Sequence, residues 1–421
     1  MSNLRRDVDV LVIGGGVIGV CAAYYLAQTG RSVTLVERGA ICSGASYGNS
    51  GLLVPSHAVP LAAPGVVWKG IKWMFDPASP FYIRPRFDLD LLSWLWKFRG
   101  ACTKGHLRRA APLIRDLSLA SLDLFDELAA IDGLEFGFER NGLLALSNSS
   151  EGLDELGREV EILTGIGLAA ALLSPAEAAA REPNLELNIV GAAYYKQDAH
   201  LTPDLFVNGL AAHLESNGTE LCPHTEVIDM VVDRGQVSTV CTTRGDCAPR
   251  EVVLSAGSWS PGIGRRIGLR LPIQAAKGYH ATFKKPVASP RTPMILTEAK
   301  VGVGPMVGKL RFAGTLELAG LDMSINRRRV NAILGAIPTY MPQLDPSEME
   351  LMEIWRGLRP CSPDGLPFIG RPRNLANVVV AAGHATIGVS LGPITGKLVA
   401  EIIGATAPSI DLSALAVNRF D

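Results

Sequence analysis

Paired cysteines, a dominant sign of charge and an uninterrupted hydrophobic span are all absent from this 421-residue chain. Its seven cysteines are scattered singly, with no CxxC spacing and no cluster with histidine. Disulfide frameworks and zinc sites depend on such spacings, so the sequence predicts neither, and it predicts no metal ligands. Unpaired cysteines are typical of the reducing cytoplasm, where we expect the protein to be.

The charge is balanced, with 40 basic and 41 acidic residues, so a nucleic-acid partner is not expected. Three segments, 10–30, 39–68 and 374–396, contain no Asp, Glu, Lys or Arg. Glycines interrupt each of them and prolines interrupt two, so we interpret them as segments packed against a ligand rather than as membrane spans. The first seven residues lack the apolar core of a signal peptide, which predicts a soluble or at most peripheral protein.

The strongest positive signal lies at the amino end. A short apolar strand at 9–13 leads into Gly14-x-Gly16-x-x-Gly19, and the following strand ends at Glu37. Gly14 permits the tight turn, Gly16 lets backbone N–H groups approach a pyrophosphate, and Gly19 lets helix and strand pack closely. Glu37 is placed to accept the hydroxyls of an adenosine ribose. This pattern predicts a dinucleotide cofactor but leaves FAD and NAD open.

Tryptophan is concentrated in segment 61–105, where Trp68, Trp73, Trp94 and Trp96 alternate with lysines and arginines. Aromatic stripes are more often packed than exposed, which favours a helical cap on a substrate domain. The alternative is an interfacial patch that contacts a membrane leaflet carrying a quinone. The sequence leaves both interpretations open.

Two later stretches resemble the amino end in their small residues. A strand pattern at 251–255 runs into Ala256-Gly257, as at a second place where a sheet edge meets a nucleotide. Another strand pattern, at 377–382, delivers the turn at 383–390 ahead of a helix that begins at Gly392-Pro393. A helix start beside a flavin can stabilise the negative charge that reduction places on the ring.

Together these motifs resemble the FAD-dependent D-amino-acid oxidase superfamily. Within it the chain is most similar to the bacterial D-amino-acid dehydrogenases, with glycine and sarcosine oxidases as relatives. The residues that carry the resemblance span almost the whole chain in family order: Gly14-x-Gly16-x-x-Gly19 with Glu37, Ser46-x-x-Asn49-Ser-Gly51, Leu61-Ala-Ala-Pro-Gly65, Ile71-Lys-Trp73, Ser79-Pro80, Ile83-Arg-Pro85, Lys277-Gly278-Tyr279, Gly357-Leu-Arg-Pro360, Pro363-Asp364-Gly365 and Gly383-His384-x-Thr386-x-Gly388.

The resemblance implies a mixed α/β and α+β fold. A discontinuous Rossmann-like FAD-binding domain would be joined to an antiparallel-sheet substrate domain with a helical cap. The implied division assigns 1–60, 191–270 and 351–421 to the FAD-binding domain and 61–190 and 271–350 to the substrate domain.

The implied cofactor is FAD, held non-covalently, because Cys361 does not lie where covalent relatives attach their flavin. Its predicted contacts are Gly14, Gly16, Val17, Ile18, Gly19, Glu37, Arg38, Ser46, Gly48, Asn49, Ser50, Gly51, Leu52, Val227, Ala256, Gly257, Gly357, Gly383, His384, Thr386, Ile387, Gly388, Val389 and Ser390.

The implied reaction is hydride transfer from the α-carbon of an amino acid to flavin N5, which leaves an iminium that water hydrolyses. A carboxylate substrate needs a fixed guanidinium, and Arg359 fills the family's carboxylate-binding position. Tyr279 is a candidate cavity wall or hydroxyl donor, and Thr386 is a candidate substrate contact. We assign His384 to the catalytic site through flavin contact rather than as a base, since none is needed if the amine arrives deprotonated.

The substrate stays open, because two features of glycine oxidases are missing. In Lys300-Val-Gly-Val303 the residues after Lys300 are small or aliphatic, whereas the relatives carry an aromatic side chain near this segment, and 385–387 lacks their arginine. The candidates are a D-amino acid, a cyclic imino acid such as D-proline or a hydroxyproline, and an N-substituted glycine. The favoured function is a dehydrogenase that passes electrons to a quinone or another acceptor. The alternatives are a glycine- or sarcosine-type amine oxidase using O₂ and a flavin-dependent RNA-modifying protein. Peripheral contact with the inner membrane is a further expectation, and the sequence does not reveal the oligomeric state.

Overall fold

The computed structural model describes residues 6–68, 70 and 79–421. Lys69 and the predicted motif Ile71-Lys-Trp73 lie outside these residues. The helices, numbered α1 to α9 in chain order, are Val17–Gln28, Leu89–Ala101, Lys104–Ala129, Ser150–Gly165, Pro175–Arg181, Pro203–Ser216, Ser260–Arg266, Arg327–Tyr340 and Gly392–Ile403. None of the helices in these residues is both long and apolar enough to cross a lipid bilayer.

The strands are numbered β1 to β19 in chain order. They are Asp7–Ile13, Val33–Val36, Leu52–Leu53, Phe81–Ile83, Leu143–Ser147, Ala170–Leu173, Gly191–Tyr195, Ala199–His200, Glu220–Cys222, Val227–Asp233, Gln236–Thr242, Gly245–Leu254, Gln274–Lys284, Met294–Leu296, Val301–Met306, Lys309–Leu318, Leu351–Cys361, Phe368–Gly370 and Val378–Ala382.

The first large sheet is built around β1, the strand that precedes the glycine turn. Its order is β10-β11-β12-β1-β2-β9, and β19 pairs with both β12 and β18. The pairings β12–β1, β1–β2, β2–β9 and β12–β19 are parallel. Every residue of β2 and of β19 is buried, as expected for parallel strands covered on both faces. The carboxyl ends of β1, β2 and β12 therefore meet at one edge of this sheet.

Helices α1 and α9 pack closely against each other because two residues of α9 at their contact are glycines. A Cβ atom at Gly396 would lie 2.5 Å from the backbone of Cys21, and one at Gly392 would lie 2.7 Å from Val17. Any larger side chain would push the two helices apart. The contact brings the start of the carboxyl-terminal helix beside the start of the amino-terminal one.

The second large sheet has the order β17-β13-β16-β15-β14-β5-β7-β6 and is mainly antiparallel, with β14–β5 parallel and β4 added parallel to β16. Its strand β13, which lies between β17 and β16, is buried over ten of its eleven residues. Strands β7 and β17 belong to this sheet, although the domain division above places residues 191–195 and 351–361 with the cofactor domain. That division remains a prediction.

Candidate active site

A cavity of about 1310 Å³ is lined by residues of both large sheets. Its wall includes Ile13 and Val36 at the ends of β1 and β2, and Gly278 and Thr315 of the second sheet. Ordinary ligand pockets have roughly 300–1,000 Å³, so this one has room for an extended dinucleotide and a substrate together.

The glycine turn after β1 has the geometry that the sequence predicts. Gly14 has φ +115°, a conformation that side chains rarely adopt. A Cβ atom at Gly19 would lie only 1.8 Å from the carbonyl oxygen of Gly14. At the start of α1, Val17 N–H donates to Ser46 Oγ at 2.9 Å. The helix therefore points its N-terminus into the cavity, beside Gly16 and a hydroxyl from the next loop.

The Glu37 carboxylate lies at the end of β2 and lines the cavity. It accepts one hydrogen bond from Gly15 N–H at 2.7 Å and one from Gly39 N–H at 2.8 Å. Each carboxylate oxygen keeps further acceptor capacity, because it has two lone pairs. Two backbone donors thus fix the carboxylate, while it remains able to accept ribose hydroxyls.

The side chain of Trp355, a residue of β17, packs against the loop at 46–51. A Cβ atom at Gly48 would lie 1.7 Å from the Trp355 ring, and one at Gly357 would lie 2.0 Å from it. His280 stacks on the same ring with centroids 5.2 Å apart. Trp355 also lines the cavity, and no sequence pattern indicates it, because the two glycines that make room for it lie more than three hundred residues apart.

The turn after β19 is hydrogen-bonded to strand β17. Ala385, with φ +48°, donates its N–H to Pro360 O at 2.8 Å. The buried His384 imidazole hydrogen-bonds to Thr395 Oγ1 at 3.0 Å through Nε2. Helix α9 therefore holds His384 in place, and His384 and Thr386 both line the cavity.

Most of the predicted cofactor residues line this cavity. They are Gly14, Gly16, Val17, Ile18, Glu37, Arg38, Ser46, Gly48, Asn49, Ser50, Leu52, Val227, Ala256, Gly257, Gly357, His384, Thr386, Gly388 and Val389. Gly19, Gly51, Gly383, Ile387 and Ser390 do not line it. They lie behind its wall; a Cβ atom at Gly51, for instance, would be 2.1 Å from Leu201 O, and Ser390 Oγ donates to Leu52 O.

Arg359 reaches the cavity from β17. Its Nη1 donates to Thr315 O at 2.6 Å, and no carboxylate of the described residues forms an ion pair with it. Burial lowers the pKa of Arg359, but a guanidinium stays protonated at any physiological pH. A positive charge with free N–H donors, held in a cavity, is suited to bind a carboxylate bidentately.

Tyr279 also lines the cavity, but its hydroxyl donates to Glu317 Oε2 at 2.8 Å. Burial, and then that hydrogen bond, raise the pKa of Tyr279 above its usual value. The hydroxyl proton therefore takes part in the hydrogen bond to Glu317 rather than in a contact beside the Arg359 guanidinium. The ring remains available as part of the wall.

We expect Tyr279→Phe to lower stability more than activity. The substitution removes the hydrogen bond at 2.8 Å to the buried Glu317 carboxylate, which costs about 1–3 kcal/mol, although Lys277 and Arg329 remain within 4 Å of that carboxylate. KM for the substrate should stay within about threefold of the wild-type value. Urea denaturation and steady-state kinetics on the same preparation check this; a large increase in KM at unchanged stability would make the hydroxyl a substrate contact.

Histidines with lowered pKa values make stability dependent on pH; His280 and His384 are buried and His57 is half-buried. Burial lowers the pKa of His57 to about 4 and those of His280 and His384 to about 3. In the unfolded chain these groups titrate near their ordinary value of about 6.5. Below that value the unfolded state binds protons that the native state does not, so the stabilising contribution is present above about pH 6.5 and is lost on acidification toward pH 3–4.

We therefore expect the free energy of unfolding to fall between about pH 6.5 and 4.5, by up to about 1.4 kcal/mol per pH unit for each histidine. Urea denaturation across this range measures the slope. His384→Asn should reduce it, whereas His224→Asn should not, because His224 is exposed. A slope that is the same in His384→Asn and the wild type would contradict the assignment.

Helix α2 forms part of the cavity roof. Trp94, Leu95 and Phe98 line the cavity, and Trp94 Nε1 donates to Cys361 O at 2.9 Å. Trp94 and Phe98 stack with centroids 5.1 Å apart. The inner face of α2 thus acts as a cap, next to the strand that carries Arg359.

These residues fit FAD. The φ of Gly14, the α1 N-terminus at the cavity and the fixed Glu37 carboxylate suit a pyrophosphate and an adenosine ribose. The turn at 383–390, where the flavin ring is expected, also lines the cavity through His384, Thr386, Gly388 and Val389. The cavity volume accommodates both halves.

Comparison with known proteins bears on the whole chain. A family model described as FAD dependent oxidoreductase (DAO) matches residues 9–402. The chain is 30% identical to D-amino acid dehydrogenases of Granulibacter bethesdensis and Xanthobacter autotrophicus, over 98% of its own length and 99% of theirs. The structure is similar to the crystal structure of glycine oxidase from Geobacillus kaustophilus, with a TM-score of 0.80 and 26% identity, covering 99% of this chain and 100% of that one.

Proposed function

The chain belongs to the DAO family of FAD-dependent oxidoreductases, and from that premise we propose that it oxidises D-amino acids or cyclic imino acids of the D-proline or hydroxyproline type. FAD is its cofactor and, when bound, supplies the hydride acceptor. The observation that carries the substrate class is Arg359, whose guanidinium faces the cavity with no carboxylate partner among the described residues.

The protein's own part is to bind and orient. Arg359 would hold the α-carboxylate through two parallel N–H donors, which leaves the amine and the α-hydrogen on the opposite side of the bound molecule. His384 is neutral at physiological pH, so it can hydrogen-bond without adding charge beside the cofactor. The cap formed by Trp94 and Phe98 would exclude water from the reacting carbon.

An anaerobic titration tests this function. We expect the visible flavin absorbance of the purified protein to be bleached by at least one D-amino acid or cyclic imino acid, and not by the L-enantiomer. The panel is D-alanine, D-leucine, D-proline, cis-4-hydroxy-D-proline, glycine and sarcosine. If none of the D-compounds bleached the flavin, the proposal would be contradicted. Steady H₂O₂ release without an added acceptor would favour the glycine- or sarcosine-type oxidase.

We further propose that the electron acceptor is a quinone dissolved in a membrane. Helix α2 would bring the enzyme to that membrane. The outer face of α2 carries Leu89, Leu92 and Trp96, which are 68%, 53% and 73% exposed, and Phe87 just before it is 90% exposed. Lys97 and Arg99 lie on the same helix. An apolar face with Trp and Leu beside basic residues is typical of a helix that lies in an anionic lipid interface.

Replacing Leu92 and Trp96 together by Ser should abolish most binding to phosphatidylglycerol vesicles, because it removes the apolar face that would enter the lipid. Co-sedimentation measures the bound fraction, which should fall at least fivefold. Val287→Ser, a fully exposed position elsewhere, is the matched control and should bind like the wild type. Failure of the wild-type protein to sediment with vesicles would leave α2 as a cap alone and would contradict membrane contact.

A further inference from the structure

The strand pairing beside Arg359 contains a bulge. Strand β13 pairs Lys277 with Glu317 and Tyr279 with Gly314, so β16 uses one residue more than β13 over this stretch. Within it Thr315 has φ +69°, a strained conformation for a β-branched residue. Bulges re-aim backbone groups and are common next to active sites.

The bulge turns two backbone groups away from β13. The carbonyl of Thr315 accepts from Arg359 Nη1 at 2.6 Å. The N–H of the next residue, Leu316, donates to Pro80 O at 2.7 Å, where β4 joins the sheet. The strained residue thus presents an acceptor to the guanidinium, while β4 satisfies the donor beside it.

Gly278 provides the space that the guanidinium occupies. It lies opposite Gly357, two residues from Arg359 on the neighbouring strand β17. A Cβ atom at Gly278 would lie 2.1 Å from Arg359 Nη1 and 2.4 Å from Cζ. The guanidinium therefore lies across the Gly278 backbone, and any side chain there would displace it.

From this geometry we infer that Gly278 and the strained Thr315 are positioning residues that aim the Arg359 guanidinium at the substrate carboxylate. Gly278 supports one side of the group and the Thr315 carbonyl takes one N–H, so the remaining N–H donors point in a fixed direction. Fixing the fork in advance reduces the entropy lost when a carboxylate binds. The inference rests on the proposed role of Arg359 and extends it to two residues that do not themselves carry the charge.

The test is a double-mutant cycle between Gly278→Ala and Arg359→Met. In the wild-type background, Gly278→Ala should raise KM for the best D-amino acid at least 30-fold, and kcat should change less. The inhibition constant of propanoate, a carboxylate without an amine, should rise by the same factor. In the Arg359→Met background, Gly278→Ala should change KM less than threefold, because the group that it displaces is gone.

Each arm has an outcome that would overturn the inference. If Gly278→Ala raised KM by the same factor in both backgrounds, Gly278 would act independently of Arg359. Thr315→Gly keeps the carbonyl and permits the positive φ, so KM should stay within threefold; an increase as large as that of Arg359→Met would contradict a role for the carbonyl. If Arg359→Met itself left KM unchanged, the proposed function would fail first, and the cycle separates the two failures. Flavin absorbance after gel filtration confirms that each variant retains FAD.

Discussion

Replacing Arg359 by Met is expected to reduce kcat/KM for the D-amino-acid substrate about 10²–10³-fold, which corresponds to about 3–4 kcal/mol of lost binding. The loss should appear mainly in KM, because the guanidinium binds the carboxylate in both the ground state and the transition state. The bound flavin should remain, since Arg359 donates only to Thr315 O among the described residues. Methionine keeps a long unbranched side chain, so the packing of β17 against β13 should change little.

Arg359→Lys is the matched comparison. Lysine keeps the positive charge but loses the planar fork, so it should recover only part of the lost affinity. Steady-state kinetics give KM, and the dependence of the anaerobic flavin-bleaching rate on substrate concentration gives the dissociation constant separately. Unchanged kinetics in Arg359→Met would remove this residue from the site, and with it the main argument for an amino-acid carboxylate.

The second large effect is expected at the turn after β1. Gly19→Ala should abolish FAD retention, because its Cβ atom would lie 1.8 Å from Gly14 O, well inside van der Waals contact. Helix α1 must then move away from β1, and the turn that faces the pyrophosphate moves with it. The free energy of unfolding should fall by about 3 kcal/mol or more.

Gly335→Ala is the control, since Gly335 is also a helical glycine but its Cβ would meet nothing within 4 Å. There the substitution should leave FAD content unchanged and raise stability slightly through helix propensity. The ratio of flavin to protein absorbance after gel filtration, followed by urea denaturation, measures both effects. Wild-type FAD content in Gly19→Ala would contradict the close packing of α1 on β1.

The predicted fold class and the FAD cofactor are confirmed by the family match and by the similarity to glycine oxidase. The sequence could predict a dinucleotide-binding fold because the cofactor turn is a local structure, and the resemblance carried by motifs along the whole chain then implied FAD. Gly14, Gly16, Gly19 and Glu37 lie within one strand–turn–helix–strand unit, so their spacing alone carries the geometry. The role of Arg359 came from the resemblance, and its contact with a substrate stays a prediction.

The sequence could not predict how distant segments share one wall. Trp355 fits between Gly48 and Gly357, Tyr279 turns its hydroxyl to Glu317, and Thr315 lies in a bulge. Strand register decides each of these, and register depends on pairing between strands far apart in the chain. The same holds for segment 61–105, where the inner face of α2 is buried over the cavity and the outer face is exposed.

The amino-acid sequence by itself therefore determined the dinucleotide site, because short-range backbone requirements are written in residue types and spacings, and the order of its motifs indicated the family and with it FAD. Only the tertiary structure decided which donors and acceptors remain free inside the cavity. A guanidinium becomes available to a ligand when the fold brings no carboxylate near it, and that depends on every strand packed around it.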